Sequence, residues 1–284
     1  MTKIFPLIFI VLWSSAFITT KPIVDHSEPF SALAFRFFFV SLGFLIFSIY
    51  KNFSLVVSKS NLIQSLVSGV LFHGIYLGGV FYSVSVGMPT GIAALIVTLQ
   101  PILTNILAGP ILKEHVSYYQ WIGIFLGFLG AVLVLGFDIG KNIPFDGVVA
   151  TIISLISITS ATIWQKKISN NLPLETSNTY QAIGGCLFHI LIIVFVTQFQ
   201  INFSFTFIAA MSHQVLLASF GAFTILMFLI RENSASKTTS FFFLIPSVSA
   251  LMAWLFLSEN LYYIDIIGFL IASIGVYIAT RPEK

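Results

Sequence analysis

Of the 284 residues, 57% are hydrophobic, 15% aromatic and only 8% charged, against the roughly 25% charge of an average soluble domain, which excludes a soluble globular fold. The formal net charge of +3 comes from basic residues set singly in short polar breaks, so no stripe or patch suits a nucleic-acid partner. The single cysteine, Cys186, excludes an internal disulfide and reads as a structural thiol, and no zinc, redox or other cofactor motif accompanies it.

A helix needs roughly 20 apolar residues to cross a hydrocarbon layer of about 30 Å. Runs of that kind follow one another at 4–21, 30–50, 62–86, 89–110, 118–137, 144–166, 176–200, 207–230, 237–257 and 261–280. The breaks carry turn and charge signals such as Lys21-Pro22, Gly87-Met88-Pro89 and Lys113 to Ser117. The run from Phe37 to Tyr50 does not alternate polar with apolar, which excludes a transmembrane barrel. The first run resembles a secretory signal but flows on without a small-residue cleavage site, so it reads as a retained helix. The expectation is an all-α integral membrane protein with ten transmembrane helices. If the N-terminus is cytoplasmic, Lys3, Lys51, Lys59, Lys113, Lys166, Lys167, Arg231, Lys237, Arg281 and Lys284 share that side, and only Lys21 and Lys141 lie opposite. That bias predicts cytoplasmic N- and C-termini.

The skeleton of residues 99–134 recurs 145 residues later without a gap: Pro101 as Pro246, Glu114 as Glu259, Tyr118 as Tyr263, Gly123 as Gly268, Gly130 as Gly275. Lys21 likewise falls on Lys166. The chain therefore reads as one membrane domain built from two five-helix repeats, 1–142 and 143–284. Because five is odd, the second repeat enters the bilayer from the opposite side. Gly123-xxx-Gly127 with Gly130, and Gly268-xxx-Ala272 with Gly275, give spans five and ten a small-residue face. Packing within one chain is the first reading of that face and a homodimer contact the second.

Polar groups at membrane depth face a cavity or a partner. His73 and Tyr76 share one face of span three and read as cavity lining or as packed core. Gln100, Thr104 and Asn105 flank Pro101 in span four, where the missing donor frees a carbonyl near Val97 and suits a broken, ligand-binding helix. The second copy offers Phe242, Ser247 and Ser249 around Pro246. Gln100 against Ile245, and Asn105 against Ala250, distinguish the copies and point to substrate. Trp13 lies mid-span, away from the interfacial belt, as cavity wall or packing. Arg36 lies about 9 Å inside the outer boundary, so it either snorkels or captures an anion. His189, His213 and Gln214 read first as satisfied structural groups. Glu114 and Glu259 end spans four and nine and read as loop caps or as gates. Every Asp and Glu falls at a span end or in a loop, which disfavours a midplane carboxylate as proton carrier. Uniport or exchange ranks first, with a histidine route through His73 as the alternative.

Residues 12–37 (LWSSAFITTKPIVDHSEPFSALAFRF), residues 82–101 (YSVSVGMPTGIAALIVTLQP) and the Pro, Glu and spaced glycines of each copy resemble the EamA-like ten-helix branch of the drug/metabolite transporter superfamily. The resemblance covers essentially the whole chain. It implies a basket of helices around a central cavity lined mainly by spans three, four, eight and nine, with five and ten peripheral. It also implies alternating-access transport of a small metabolite at the cell membrane, the inner membrane in a bacterium. An amino acid or similar zwitterion, exported or exchanged, is the first expectation. A phosphorylated, nucleotide-linked or lipid-linked sugar is the alternative. An intramembrane lipid-modifying enzyme is the remote third reading, since Ser, His and carboxylate do not converge. The expected partners are the small-molecule substrate and the lipid bilayer, with a monomer preferred to a homodimer.

Overall fold

The computed structural model describes residues 4–135, 143–257 and 262–281. Within them the chain runs as ten helical rods: α1 Phe5–Val24, α2 Pro29–Tyr50, α3 Lys59–Ser85, α4 Thr90–Val97 with Gln100–Leu112, α5 Tyr118–Leu135, α6 Phe145–Ile168, α7 Leu174–Phe195, α8 Phe205–Glu232, α9 Ala235–Ser240 through Ile245–Leu257, and α10 Tyr263–Thr280. Eight of these are long and apolar enough to cross a membrane; Tyr118–Val134 of α5 is a shorter apolar run, and α9 is broken. Each expected span therefore has a helix, shifted by a few residues at its ends. Span seven differs most, because α7 stops at Phe195 instead of running to residue 200. Residues 196–204 are polar enough to leave the helix, and they pair with the α1–α2 turn through a Ser27–Ile201 bridge and a Glu28 N to Gln200 O hydrogen bond of 2.9 Å.

Two distortions recur in register. Residues Val70–Tyr76 of α3 form a π-helical segment; carried 145 residues on, it falls at 215–221, inside the π segment Gln214–Phe223 of α8. Helix α4 breaks at Thr98–Leu99, just before Pro101, and the matching positions fall inside the 3-10 segment Phe241–Leu244 of α9, just before Pro246. Proline supplies no donor to the preceding turn, which accounts for both breaks. The π segments leave carbonyls that need other donors: Ser157 Oγ donates to Leu71 O at 2.8 Å, and His189 Nε2 to His73 O at 2.9 Å.

Helices α5 and α10 pack backbone to backbone. A Cβ added at Gly123 would stand 2.5 Å from Gly275 O, and one at Gly130 would stand 2.5 Å from Gly268 O. Only glycine allows that approach. The small-residue face is thus used inside one chain. The largest apolar core joins α1, α3, α6, α8 and α9 through Phe9, Phe72, Ile158, Met227 and Phe242.

Candidate substrate cavity

The two π segments face the same interior space. There a cavity of about 50 Å³ opens among Trp13, Arg36, His73, Tyr76, Gln214 and Ser219, closed by aromatic neighbours that include Phe72 and Phe223. Its walls come from α1, α2, α3 and α8, and its outline is mostly apolar with a few polar tips.

Each polar wall residue is held by a specific contact. Arg36 is 5% exposed, and its Nε donates to Ser219 Oγ at 2.9 Å, the one hydrogen bond it makes among the described residues. Its guanidinium carbon lies 5.3 Å from the Phe37 ring centroid. Arg36 therefore turns inward and does not snorkel, because Ser219 on α8 gives it an interior anchor. Among the described residues no carboxylate lines the cavity, so the charge has no counter-ion from them there. The His73 ring packs between Phe37 and Phe223, with centroids 4.4 and 4.3 Å away. Gly185 makes this possible, since a Cβ there would lie 2.4 Å from His73 Cβ. Trp13 stands against Phe9 and Phe242 at 5.3 and 5.5 Å. Gln214 is 1% exposed; its Nε2 donates to Ala16 O at 2.8 Å and to Thr19 Oγ1 at 2.9 Å, while Oε1 is buried without a partner.

The structure brings Trp13, Arg36, His73 and Tyr76 together and sets the remaining sequence candidates apart. Gln100 Nε2 donates to Thr162 Oγ1 at 3.0 Å, joining α4 to α6. Asn105 donates to Pro101 O at 2.7 Å and accepts from Ser236 Oγ. Thr104 is buried, with its hydroxyl lacking a partner. Ser249 donates to Ser14 O at 3.1 Å, and Ser14 to Ile245 O at 3.2 Å, joining α1 to α9. Expected lining by spans four and nine is thus replaced by lining from α1 and α2, because the polar groups of α4 and α9 bond neighbouring helices. Phe242 does reach a smaller void, of about 10 Å³, with Val97, Thr98 and Pro246 at the two proline breaks. Trp13 and Phe17 wall both spaces.

Glu114 caps: its oxygens accept from Ala235 N at 2.8 Å and Ser236 N at 3.2 Å at the start of α9, where a carboxylate meets free amides and the positive helix end. Glu259 lies outside the described residues. His189 is spent on His73 O, as a structural histidine. Among the polar cavity residues, Gln214 reads from the sequence as structural, and Thr20 and Ser219 are not singled out by it.

A polytopic helical bundle with a small, mostly apolar cavity among α1, α2, α3 and α8 has the build of a membrane carrier. The chain belongs to the EamA-like transporter family, whose model matches residues 2–136 and again residues 146–281. Two uncharacterized transporters of Bacillus subtilis resemble it: YvbV at 23% identity, covering 97% of this chain and 90% of the relative, and YyaM at 26%, covering 96% and 91%. A probable amino-acid metabolite efflux pump of Salmonella typhimurium is 22% identical, covering 96% of this chain and 92% of the relative. A solved crystal structure at 15% identity superposes with a TM-score of 0.83 over 98% of this chain and 96% of the other, a likeness of fold. The protein is a multi-pass cell-membrane transporter of small metabolites and not an enzyme.

Proposed function

We propose that the substrate is an amino acid or similar zwitterion, moved by alternating access, with the Arg36 guanidinium receiving its carboxylate. The observation that carries this is a buried cation that, among the described residues, is anchored by Ser219 alone, at the wall of an apolar, aromatic cavity lined by none of their carboxylates. Leaving a charge unneutralised in such surroundings is costly, and an arriving anion relieves that cost. A single cation favours one carboxylate over the doubly charged phosphate of a sugar phosphate. A space of about 50 Å³ is worth one or two waters, so loading requires the walls to part.

Two inverted repeats, 1–142 and 143–284, with both termini cytoplasmic, supply that motion in this reading. The twice-matched family model, the distortions in register and the reciprocal α5–α10 glycines support the inversion. Unequal use of repeat-related residues supports alternation. Lys166 Nζ donates to Ile230, Arg231 and Asn233 carbonyls at 3.0, 3.2 and 2.6 Å, and Glu114 ties the same end by capping α9. Lys21, its counterpart, instead holds Asp25 and leaves the corresponding carbonyls of Ser85, Val86 and Met88 alone. The end marked by Lys166 is the closed one, and the opposite state exchanges these roles. The chain works as a monomer.

Counterflow of labelled amino acids in liposomes tests the substrate. Acceleration by the wild type and its loss in Arg36→Gln, with the fold intact, is expected. Acceleration of a sugar phosphate in place of amino acids overturns the reading.

A further inference from the structure

The two polar poles of the cavity differ in sign. On the α2 side, Arg36 presents donors that no described residue accepts, apart from the Nε bond to Ser219. On the α8 side, one turn away from Ser219, Gln214 presents the reverse. Its amide orientation is fixed by its own bonds, because Ala16 O can only accept and so must face the NH2 group. Oε1 is then an acceptor, and it has no partner although Gln214 is 1% exposed. A buried acceptor without a donor is disfavoured in a stable structure, and its persistence in a cavity wall marks a place that a ligand completes. Gln214 opens the π segment of α8, the same distorted stretch that carries Ser219 and Phe223 into the cavity.

We propose that Gln214 Oε1 accepts a hydrogen bond from the substrate's ammonium group and is the residue by which this carrier prefers a zwitterion to a plain carboxylic acid. The inference rests on Arg36 taking the carboxylate. Arg36 sets the charge the cavity wants, and Gln214 sets whether a second, cationic group is welcome. A neutral amide suits that task better than a carboxylate, which would pair with Arg36 and close the site to substrate. Trp13, Tyr76 and Phe223 also line the cavity, and aromatic rings receive a cation without needing a second anion.

The test is a thermal-shift and binding comparison on the purified, full-length protein, using L-leucine, L-phenylalanine and L-threonine with the deaminated acid of each. Wild type should prefer the amino acids. Gln214→Leu should weaken amino-acid binding about tenfold to hundredfold, the loss expected for a hydrogen bond to a charged group, and leave the deaminated acids within about twofold. Gln214→Glu places a carboxylate where it pairs with Arg36, so it should weaken both ligand sets. Equal weakening of both ligand sets in Gln214→Leu, or no change in either, overturns the proposal and leaves the Arg36 reading standing. Wild-type protein that binds neither set overturns the Arg36 reading and this proposal with it.

Discussion

Arg36 and Ser219, 183 residues apart in the chain, meet at 2.9 Å between α2 and α8, and that bond aims the one buried cation of the cavity inward. Ser219 is itself 2% exposed, so both partners are buried at the cavity wall. Replacing the two partners should therefore have unequal effects. Arg36→Gln should reduce substrate affinity by about 1.5–3 kcal/mol, the value of a charged hydrogen bond, and abolish measurable counterflow. Ser219→Ala should lower affinity by less than tenfold, because the charge remains. Binding titrations on detergent-purified variants of matched melting temperature separate these outcomes.

Gly123 and Gly275 on the α5–α10 seam and Gly109 in α4 should respond oppositely to an added methyl group. At Gly123 and Gly275 the new Cβ would stand 2.5 Å and 2.3 Å from backbone atoms of the facing helix, so Gly123→Ala and Gly275→Ala should each cost about 1–3 kcal/mol or more. At Gly109 the nearest atom is Glu114 O at 3.8 Å, and Gly109→Ala should be neutral or stabilising by about 0.5–1 kcal/mol through helix propensity. Thermal melts in one detergent check the contrast.

His189 satisfies a carbonyl that the π segment of α3 leaves without a helical partner. Because that partner is a carbonyl, the ring carries its proton on Nε2. His189→Leu leaves His73 O buried and unpartnered, at a cost of about 1–3 kcal/mol, and loosens the wall on which His73 sits. The variant should melt lower than wild type and bind substrate more weakly, whereas His213→Leu, half-buried on α8, should do neither to the same degree.

Lys166 and Lys21 hold repeat-related positions yet differ in what they secure. Lys166→Met removes three hydrogen bonds to the end of α8 and should lower stability clearly. Lys21→Met removes an exposed pair with Asp25, whose two side chains are 58% and 46% exposed, and should cost about 1 kcal/mol or less. In a Cys186→Ala background, a cysteine placed at Ala218 reports the same difference kinetically. Labelling by a membrane-impermeant reagent from the Lys166 side should rise in Lys166→Met and in Glu114→Gln. Unchanged labelling in both would remove the assignment of that end as the closed one.

Hydrophobic run length located the ten rods, and Pro101 pointed to the break at Thr98–Leu99. His73, Tyr76 and Trp13 were legible as cavity residues because polar or oversized groups at membrane depth are conspicuous in an apolar background. Gln214 and Ser219 were not assigned to the cavity. The ten-residue π segment of α8 winds at a different pitch from an α-helix, so a 3.6-residue period does not tell which of its residues share a face. No residue type announces a π segment. Gln100, Asn105 and Ser249 were conspicuous for the same reason as His73, but their partners are the hydroxyls and carbonyls of α1, α6 and α9, distant in sequence. Polar depth alone does not tell a ligand contact from a helix contact.

The α5–α10 seam is reciprocal: Gly123 meets Gly275, and Gly130 meets Gly268, the pairing obtained by exchanging the two halves. Each half thus bears a surface that fits a copy of itself. Two separate five-helix chains, each with one such face, would build the same seam about a true two-fold axis. The covalent link between the halves adds nothing to that contact; it frees the two cavity walls to differ, so that one can present a guanidinium and the other an amide.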